Sequence, residues 1–279
     1  MHTRSEELST ADFDKLRALI YNESGISLGA DKKTMMEIRL KRRLRSLDIA
    51  SLGEYCDRVF SKDGIEDELV HLIDVITTNK TDFFREAGHF DYLTSKALPD
   101  LVARKGPGRQ LVWSAGCSIG EEPYTLAMVL SEYAQGCPGF RFNILASDIC
   151  TAVLAKAAEG IFKADLLRPV PTVLRRKYFM RSRDPESDRH RVVPELRALV
   201  EFRRINFMDA DFGITEAPDI IFCRNVIIYF DRATQVRLLQ KLARQLAPGG
   251  YFFAGHSESF QGMDLPFVGV APAVYKKPR

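Results

Sequence analysis

The chain has 279 residues, of which 46% are hydrophobic and 28% charged, and its formal net charge is +3 at pH 7. These proportions are typical of globular proteins and exclude disordered and fibrous classes. No apolar run reaches membrane-spanning length and the amino terminus lacks a signal-peptide core, so we expect a cytoplasmic protein without membrane insertion. The five cysteines are scattered without C-x-x-C spacing, which predicts reduced thiols and no metal site.

The front of the chain, residues 1–76, is predicted to form a small helical domain. Apolar residues recur at intervals of three and four within 13–20, 38–47 and 69–76. Gly25 falls after the first of these periodic segments, where a glycine commonly ends a helix.

One of these predicted helices is strongly basic between residues 32 and 45. Apolar residues at helical spacing, Met36, Leu40 and Leu44, predict that it docks by one side. The remainder is either a solvated face or a surface for an acidic partner, nucleic acid or an acidic protein helix. Missing aromatic residues and nucleic-acid motifs disfavour nucleic acid. The basic residues are Lys32, Lys33, Arg39, Lys41, Arg42, Arg43 and Arg45.

From residue 110 the pattern changes to short apolar strands that alternate with helices. The predicted strands are 111–113, 142–146, 220–223 and 251–254, and the predicted helices are 124–134, 151–159 and 233–246. This alternation predicts a parallel sheet with helices on both faces. Residues 177–205 break the rhythm with short apolar runs between polar turns, which predicts a β-hairpin or three-stranded insertion.

The run 113–124 joins a predicted strand to a predicted helix through a loop of small residues, as in a nucleotide-binding α/β domain. Glu121 and Glu122 stand at the helix start, where a dinucleotide-binding protein would hold a pyrophosphate. Two carboxylates there would repel a diphosphate and favour a positively charged ligand. No Gly-Lys-Ser/Thr ending is present, so the loop is not a P-loop. It predicts S-adenosylmethionine (SAM), a sulfonium, over NAD or ATP.

Polar residues also follow other predicted strands, at the carboxyl ends where open α/β sheets bind ligands. Asp148 follows the second strand, where an acid would hold a ribose hydroxyl pair; its alternative role is the N-cap of a helix near Thr151. The segment 77–86, taken alone, reads as a capped linker with two buried phenylalanines. The strand 220–223 is followed by an arginine, an amide and a phenol: Arg224, Asn225 and Tyr229.

Four collinear motifs together resemble the CheR family of chemotaxis-receptor methyltransferases. They are Thr-Thr-Asn-x-Thr-x-Phe-Phe-Arg at 77–85, Trp-Ser-Ala-Gly-Cys-Ser-x-Gly-Glu-Glu-Pro-Tyr at 113–124, Phe-Cys-Arg-Asn-Val-x-Ile-Tyr-Phe at 222–230, and Pro-Gly-Gly with Gly-His-Ser-Glu at 248–258. Members of this family use SAM to esterify glutamate side chains on receptor cytoplasmic helices, leaving S-adenosylhomocysteine.

The resemblance implies an α/β fold in three parts. The amino-terminal all-helical domain would occupy residues 1–76, and a linker at 77–90 would contribute to the cofactor site. Residues 91–279 would form a Rossmann-like SAM-dependent methyltransferase domain. A small antiparallel β subdomain would be inserted in it at about 177–205.

The resemblance also implies the site residues. Arg85 and Tyr229 would lie beside the transferring methyl group, and one or other of Glu121 and Glu122 would bind near the methionyl end of SAM. Arg85 would also bind the cofactor, and the further cofactor-binding residues would be Asn79, Thr81, Gly116, Asp148, Asn206, Phe207, Asn225 and Val226. The receptor bundle would contact Arg39, Arg42, Arg43 and Arg45.

Other functions stay open or are disfavoured by particular residues. A non-catalytic SAM-binding scaffold and a SAM methyltransferase with another substrate remain alternatives. The acids at the helix start disfavour a dehydrogenase, and 255–259 lacks the second glycine of a hydrolase nucleophile elbow. The loop 182–190 has no glycine where some family members carry a glycine-rich turn, which argues against tethering of a receptor peptide. Nothing in the sequence demands more than a monomer.

Overall fold

Four helices form the amino-terminal part of the protein in the computed structural model, which describes residues 7–61 and 64–279. They are α1 (Thr10–Ser24), α2 (Lys33–Leu47), α3 (Leu52–Val59) and α4 (Gly64–Ile76). Ser9 caps α1 by accepting a hydrogen bond from the amide of Asp12, and Gly25 ends it with φ 73°. The apolar faces of the four helices share one hydrophobic core around Leu16 and Tyr55. The predicted helical domain is confirmed.

A short helical segment connects this domain to the first strand. It consists of α5 (Gly88–Tyr92), a π-helical turn (Leu93–Ala97) and α6 (Leu98–Lys105). Leu98 and Leu101 are buried in the same core as the sheet that follows, so α6 packs with the second domain.

In the part of the chain that the structure describes, ten strands form two sheets. They are β1 (Arg109–Ala115), β2 (Arg141–Asp148), β3 (Ile161–Lys163), β4 (Phe179–Arg181), β5 (Arg189–Val192), β6 (Val200–Arg204), β7 (Ile220–Cys223), β8 (Tyr251–Ala254), β9 (Val268–Ala271) and β10 (Val274–Lys276). The large sheet has the order β6-β2-β1-β7-β8-β10-β9.

The first five strands of the large sheet are parallel, as predicted, but β10 runs antiparallel to both of its neighbours. Only Pro272 and Ala273 separate β9 from β10, and two residues can join only an antiparallel pair. The sheet is therefore mixed.

Helices cover both faces of the large sheet. Along β1, Val112 is buried in one hydrophobic cluster and Trp113 in the other, because successive side chains of a strand point to opposite faces. The remaining helices are α7 (Glu121–Gly136), α8 (Thr151–Glu159), α9 (Thr172–Tyr178), α10 (Pro194–Arg197) and α11 (Arg232–Gln245).

The small antiparallel sheet has the order β3-β5-β4, which corrects the expected insertion at 177–205. Its strands lie between residues 161 and 192, and residues 200–204 belong to the large sheet as β6 beside β2. Short apolar runs predict strands without showing which sheet they join, and this explains the displaced boundary.

The two domains are joined by polar contacts at helix and loop ends. Asp74 of α4 accepts hydrogen bonds from the amide of Thr151 at 2.9 Å, its hydroxyl at 2.7 Å and the amide of Ala152 at 3.1 Å. The helical domain therefore supplies the N-terminal cap of α8. Within the described ranges 7–61 and 64–279, the helices fall short of the length and apolarity that crossing a membrane requires.

Candidate active site

A cavity of about 310 Å³ lies at the carboxyl ends of β1, β2 and β7, facing the helical domain. Its volume is at the small end of the range for ligand pockets, about 300–1,000 Å³. The structure brings most of the predicted site residues to its wall. They are Asn79, Thr81, Arg85, Gly116, Glu122, Asp148, Asn206, Phe207, Asn225, Val226 and Tyr229.

Gly116 follows the last residue of β1 and lines this cavity with φ 90°, a backbone conformation that favours glycine. A Cβ at this position would lie 2.3 Å from Cγ2 of Val226, so a larger residue would displace the neighbouring loop. Its amide donates to the carbonyl of Ser147 at 2.7 Å, which ties the loop to β2.

Asp148 lies at the end of β2 and is almost completely buried. Its Oδ2 accepts from the amide of Ser118 at 2.9 Å and its Oδ1 from that of Cys150 at 3.0 Å. Burial raises the pKa of the carboxyl group, against these hydrogen bonds. Asp148 does not cap α8, because Asp74 does so, and its position on the cavity wall favours the ligand-binding alternative.

The structure distinguishes between the two glutamates at the start of α7. Glu122 lines the cavity, with Oε1 accepting from Ser114 Oγ and Oε2 from Arg224 Nε, both at 2.7 Å. Glu121 is buried away from the cavity wall, and its Oε2 has no hydrogen-bond partner among the described residues. Burial raises the pKa of Glu121 to about 8. Of these two glutamates, only Glu122 therefore faces the cavity, and it is already ion-paired with Arg224.

Arg224 connects three parts of the site. From the sequence it was identified only as one of three polar residues that follow the strand 220–223. Besides Glu122, it donates from Nη1 to the carbonyl of Arg85 at 2.6 Å and lies 3.3 Å from His89 Nδ1. Burial, and then the Arg224 charge, lower the pKa of His89 to about 4, so its imidazole is neutral at pH 7 and can accept from the guanidinium.

His89, Glu86 and His256 are close enough together to be considered as metal ligands, with their ligand atoms within 4.8 Å of one another. Arg224 Nη1 is 3.6 Å from Glu86 Oε2 and also contacts His89. Since the guanidinium already provides a positive charge to this cluster, we assign no metal to it.

The linker after α4 contributes Asn79, Thr81 and Arg85 to the cavity. The carbonyl of Asn79 accepts from Ser118 Oγ at 2.8 Å, which docks the linker onto the loop after β1. Arg85 Nη1 makes a long hydrogen bond of 3.3 Å to the carbonyl of Lys80. These contacts hold the linker at the cavity wall and test neither the cofactor-binding nor the catalytic role.

Two further loops complete the wall. Asn206 donates from Nδ2 to the carbonyl of Glu23 at 2.6 Å, and the ring of Phe207 packs against Trp113. Asn225 has φ 58°, and its buried Oδ1 is without a hydrogen-bond partner among the residues that the structure describes. A buried acceptor of this kind suits a ligand N–H.

The helical domain closes the remaining side, which the sequence analysis did not foresee. Ile26 forms an isolated β-bridge with Phe230, and the amide of Ser27 donates to the carbonyl of Tyr229 at 2.9 Å. These pairs are about 200 residues apart in the chain, so local periodicity carries no signal for them. The lining residues from this domain are Ser24, Ile26, Ser27, Leu28, Lys32 and Met35.

The four arginines of α2 divide into two pairs. Arg39 donates to the carbonyls of Ile76 and Thr77 at the end of α4, and Arg43 makes two hydrogen bonds to the buried Glu68, at 2.7 and 2.9 Å. These two side chains are used inside the protein. The other two, Arg42 and Arg45, are exposed.

The cavity fits SAM in its chemistry. Glu122 and Asp148 place carboxylate oxygens on the cavity wall, where they can accept hydrogen bonds from ammonium or hydroxyl groups, and Asn225 Oδ1 is an acceptor without a partner among the described residues. The sequence matches the family descriptions "CheR methyltransferase, all-alpha domain" over residues 11–77 and "CheR methyltransferase, SAM binding domain" over residues 79–273. The chain belongs to the CheR methyltransferase family.

Relatives of this CheR chain match over most of their length. "Chemotaxis protein methyltransferase 2" of Pseudomonas aeruginosa is 45% identical over 249 residues, 89% of this chain and 86% of the relative. "Chemotaxis protein methyltransferase" of Borreliella burgdorferi is 39% identical over 95% of this chain and 94% of the relative. The protein of the same name from Klebsiella aerogenes is 41% identical over 96% of this chain and 90% of the relative. The protein is accordingly a SAM-dependent methyltransferase of chemotaxis, as its motifs predicted.

Proposed function

We propose that this CheR protein transfers the methyl group of SAM to glutamate side chains on the cytoplasmic helical bundle of a chemoreceptor. One observation carries the proposal: the helix with the exposed basic face also reaches the cavity. Met35 of α2 lines the cavity, and Arg42 and Arg45 lie further along the same helix. An acidic helix that rests on α2 would therefore present a carboxylate close to the site.

The reaction needs little acid–base chemistry. The S–CH₃ bond of the sulfonium breaks and an O–CH₃ bond forms, so a cation and a carboxylate become a neutral thioether and a neutral ester. An exposed glutamate has a pKa of about 4.3 and is already a carboxylate at pH 7. The protein must align the reacting groups and exclude water, a contribution worth about 7–11 kcal/mol in favourable cases.

Arg85 and Tyr229 are assigned to the alignment of the incoming carboxylate. Both side chains line the cavity, and both are held through their backbones. The carbonyl of Arg85 accepts from Arg224, and that of Tyr229 accepts from the amide of Ser27. Either can donate a hydrogen bond to a carboxylate oxygen without removing a proton from the substrate.

The proposed cofactor contacts come from residues of the same cavity wall. Glu122 and Asp148 would hold the methionyl and ribose ends, with Asn79, Thr81 and Gly116 around them. The adenosine would lie beside Asn206, Phe207, Asn225 and Val226. Glu121 has no place in this assignment, since it does not line the cavity.

The receptor would rest on the outward face of α2, through Ile38, Lys41, Arg42 and Arg45, all of which are exposed. Arg39 and Arg43 would act indirectly, by fixing α2 to α4. We place the reaction in the cytoplasm and assign it to the monomer, as expected from the sequence. The loop 182–190 lacks glycine, and the proposal includes no tethered receptor peptide.

The test is methyl transfer from methyl-tritiated SAM to a receptor cytoplasmic fragment, followed by mild alkali. Methyl esters release volatile methanol under these conditions, whereas N-methyl groups do not. The matched control is the same fragment with its methyl-accepting glutamates replaced by glutamine. Volatile label that depends on those glutamates supports the proposal. Base-stable label would move the substrate to nitrogen, and SAM binding without any transfer would favour a scaffold.

A further inference from the structure

Glu258, in the Gly-His-Ser-Glu motif after β8, is buried although it carries no counter-charge in the contacts that hold it. Its Oε1 accepts from the amides of Val226 at 2.9 Å and Ile227 at 2.8 Å, and its Oε2 accepts from the amide of Gly255 at 2.6 Å. Three backbone donors therefore converge on one carboxylate. Glu258 is not among the residues that line the cavity.

Two of these three amides belong to the loop that follows β7 and forms part of the cavity wall. Asn225 and Val226 line the cavity, and Asn225 is in the left-handed region with φ 58°. Such a conformation is uncommon for residues other than glycine and needs support from its surroundings. The carboxylate of Glu258 supplies that support from behind the loop.

Two glycines show how tightly the same loop is held. A Cβ on Gly116 would lie 2.3 Å from Val226 Cγ2, in front of the loop. A Cβ on Gly255 would lie 2.8 Å from Asn225 Nδ2 and 2.9 Å from its backbone N, behind the loop. Gly116 and Gly255 therefore both approach the loop so closely that neither position has room for a side chain, and Glu258 binds the amides of Val226 and Ile227 in the same region.

We propose that Glu258 is a positioning residue for the cofactor: it sets SAM affinity by holding Asn225 and Val226 in place without touching the ligand. The inference rests on the proposed assignment of Asn225 and Val226 to the adenosine side of the site. The carboxylate suits this task because both of its oxygens accept hydrogen bonds. Glutamine has the same shape but only one acceptor oxygen, so at least one of the three amides would face an NH₂ group.

Two measurements on Glu258→Gln test the proposal. Hydrogen exchange of the Val226 and Ile227 amides reports on the anchor itself, and calorimetry with S-adenosylhomocysteine reports on the ligand. We expect exchange at these amides to accelerate and Kd to rise about tenfold. At saturating SAM, kcat should change less than threefold, because Glu258 does not touch the reacting groups.

Two further variants separate positioning from general stability. Glu68→Gln removes another buried carboxylate, in the helical core, and should lower Tm without changing Kd. Gly255→Ala leaves Glu258 intact but pushes on Asn225, and it should raise Kd in the same direction. If Glu258→Gln does not fold, the Kd of Gly255→Ala tests the inference in its place.

The outcomes distinguish the anchor from the site assignment. Folded Glu258→Gln with wild-type amide exchange and wild-type Kd would overturn the inference. Faster exchange with an unchanged Kd would also overturn it, and would show that the loop after β7 is not part of the cofactor site. A wild-type protein that binds no S-adenosylhomocysteine would instead refute the site assignment on which the inference rests.

Discussion

Arg224 and Glu122 form a buried ion pair in which Nε lies 2.7 Å from Oε2, with side chains only 2% and 8% exposed. The same guanidinium donates to the carbonyl of Arg85, and its plane lies near the rings of Phe90 and Phe222. One side chain at the end of β7 therefore fixes a wall residue of α7 and the backbone of the proposed catalytic arginine.

Removing one member of this pair is expected to cost more than removing both. Arg224→Met leaves Glu122 buried without its partner, and we expect a loss of about 3–5 kcal/mol in the free energy of unfolding. The double variant Arg224→Met with Glu122→Gln should recover at least half of that loss. Urea denaturation of the wild type, both single variants and the double variant measures the coupling; additive losses would contradict it.

Glu121 should make the stability of the protein fall as the pH rises, whereas a salt-bridged carboxylate has the opposite effect. Burial raises its pKa in the folded state from an ordinary 4.5 to about 8. Between these values the unfolded chain has lost the proton and the folded chain retains it, so stability falls as the pH rises. Glu121→Gln should abolish this loss, gaining on the order of a few kcal/mol at pH 8 and little at pH 4.

The control for this variant is ligand binding. Because Glu121 does not line the cavity, Glu121→Gln should bind S-adenosylhomocysteine with the wild-type Kd at pH 7. Glu122→Gln is the matched neighbour and should weaken binding. A stability gain that is the same at pH 4 and pH 8 would show that Glu121 is ionised in the folded protein.

Much of the fold could be predicted because its elements have strong local signals. The strands 220–223 and 251–254 and the helix 151–159 were predicted with the bounds that the structure has. The hairpin of β9 and β10 was missed, because its strands have only four and three residues and Gly269 and Pro272 interrupt the apolar run.

The sequence predicts which loops form the site, but not the contacts that connect distant parts of the chain. Motifs identified the loops around the cavity, and the strand-end rule placed Asp148 and Asn225 near each other. Contacts between distant residues were not predictable: Asp74 as the cap of α8, or Ser27 against Tyr229. The sequence left open which of Glu121 and Glu122 would contact the cofactor, and only Glu122 lines the cavity.

The arginines of α2 should separate by function when they are substituted one at a time. Arg42→Ala and Arg45→Ala remove exposed charges, so we expect weaker receptor binding, a smaller salt dependence and an unchanged Tm. Arg43→Ala leaves Glu68 buried without its charged partner and should lower Tm instead. Titration of a receptor fragment at low and moderate salt measures the first effect, and thermal unfolding measures the second.

Arg39→Ala tests whether Arg39 holds the linker in place or contacts the receptor. Arg39 donates to Ile76, Thr77 and the hydroxyl of Thr78, at the start of the linker that carries Asn79 and Arg85. Its loss should therefore weaken S-adenosylhomocysteine binding as well as turnover. If only receptor binding weakened, Arg39 would have to leave these carbonyls and face the receptor.

The last prediction concerns the reacting groups themselves. Tyr229→Phe and Arg85→Ala each remove a donor from the cavity wall and leave the buried core unchanged. If these donors align the carboxylate, kcat should fall by about 100-fold in either variant, the cost of a small misplacement of reacting atoms.

Single-turnover transfer to a receptor fragment, with S-adenosylhomocysteine affinity measured in parallel, separates alignment from cofactor binding. Tyr229→Phe should retain the wild-type Kd, because phenylalanine preserves the ring. Arg85→Lys is the matched variant for the second residue: it keeps the charge but loses the planar fork, so it should fall between wild type and alanine. Normal turnover in both Tyr229→Phe and Arg85→Ala, with normal cofactor affinity, would exclude both side chains from the alignment and leave that task to the loop backbone around Gly116 and Asn225.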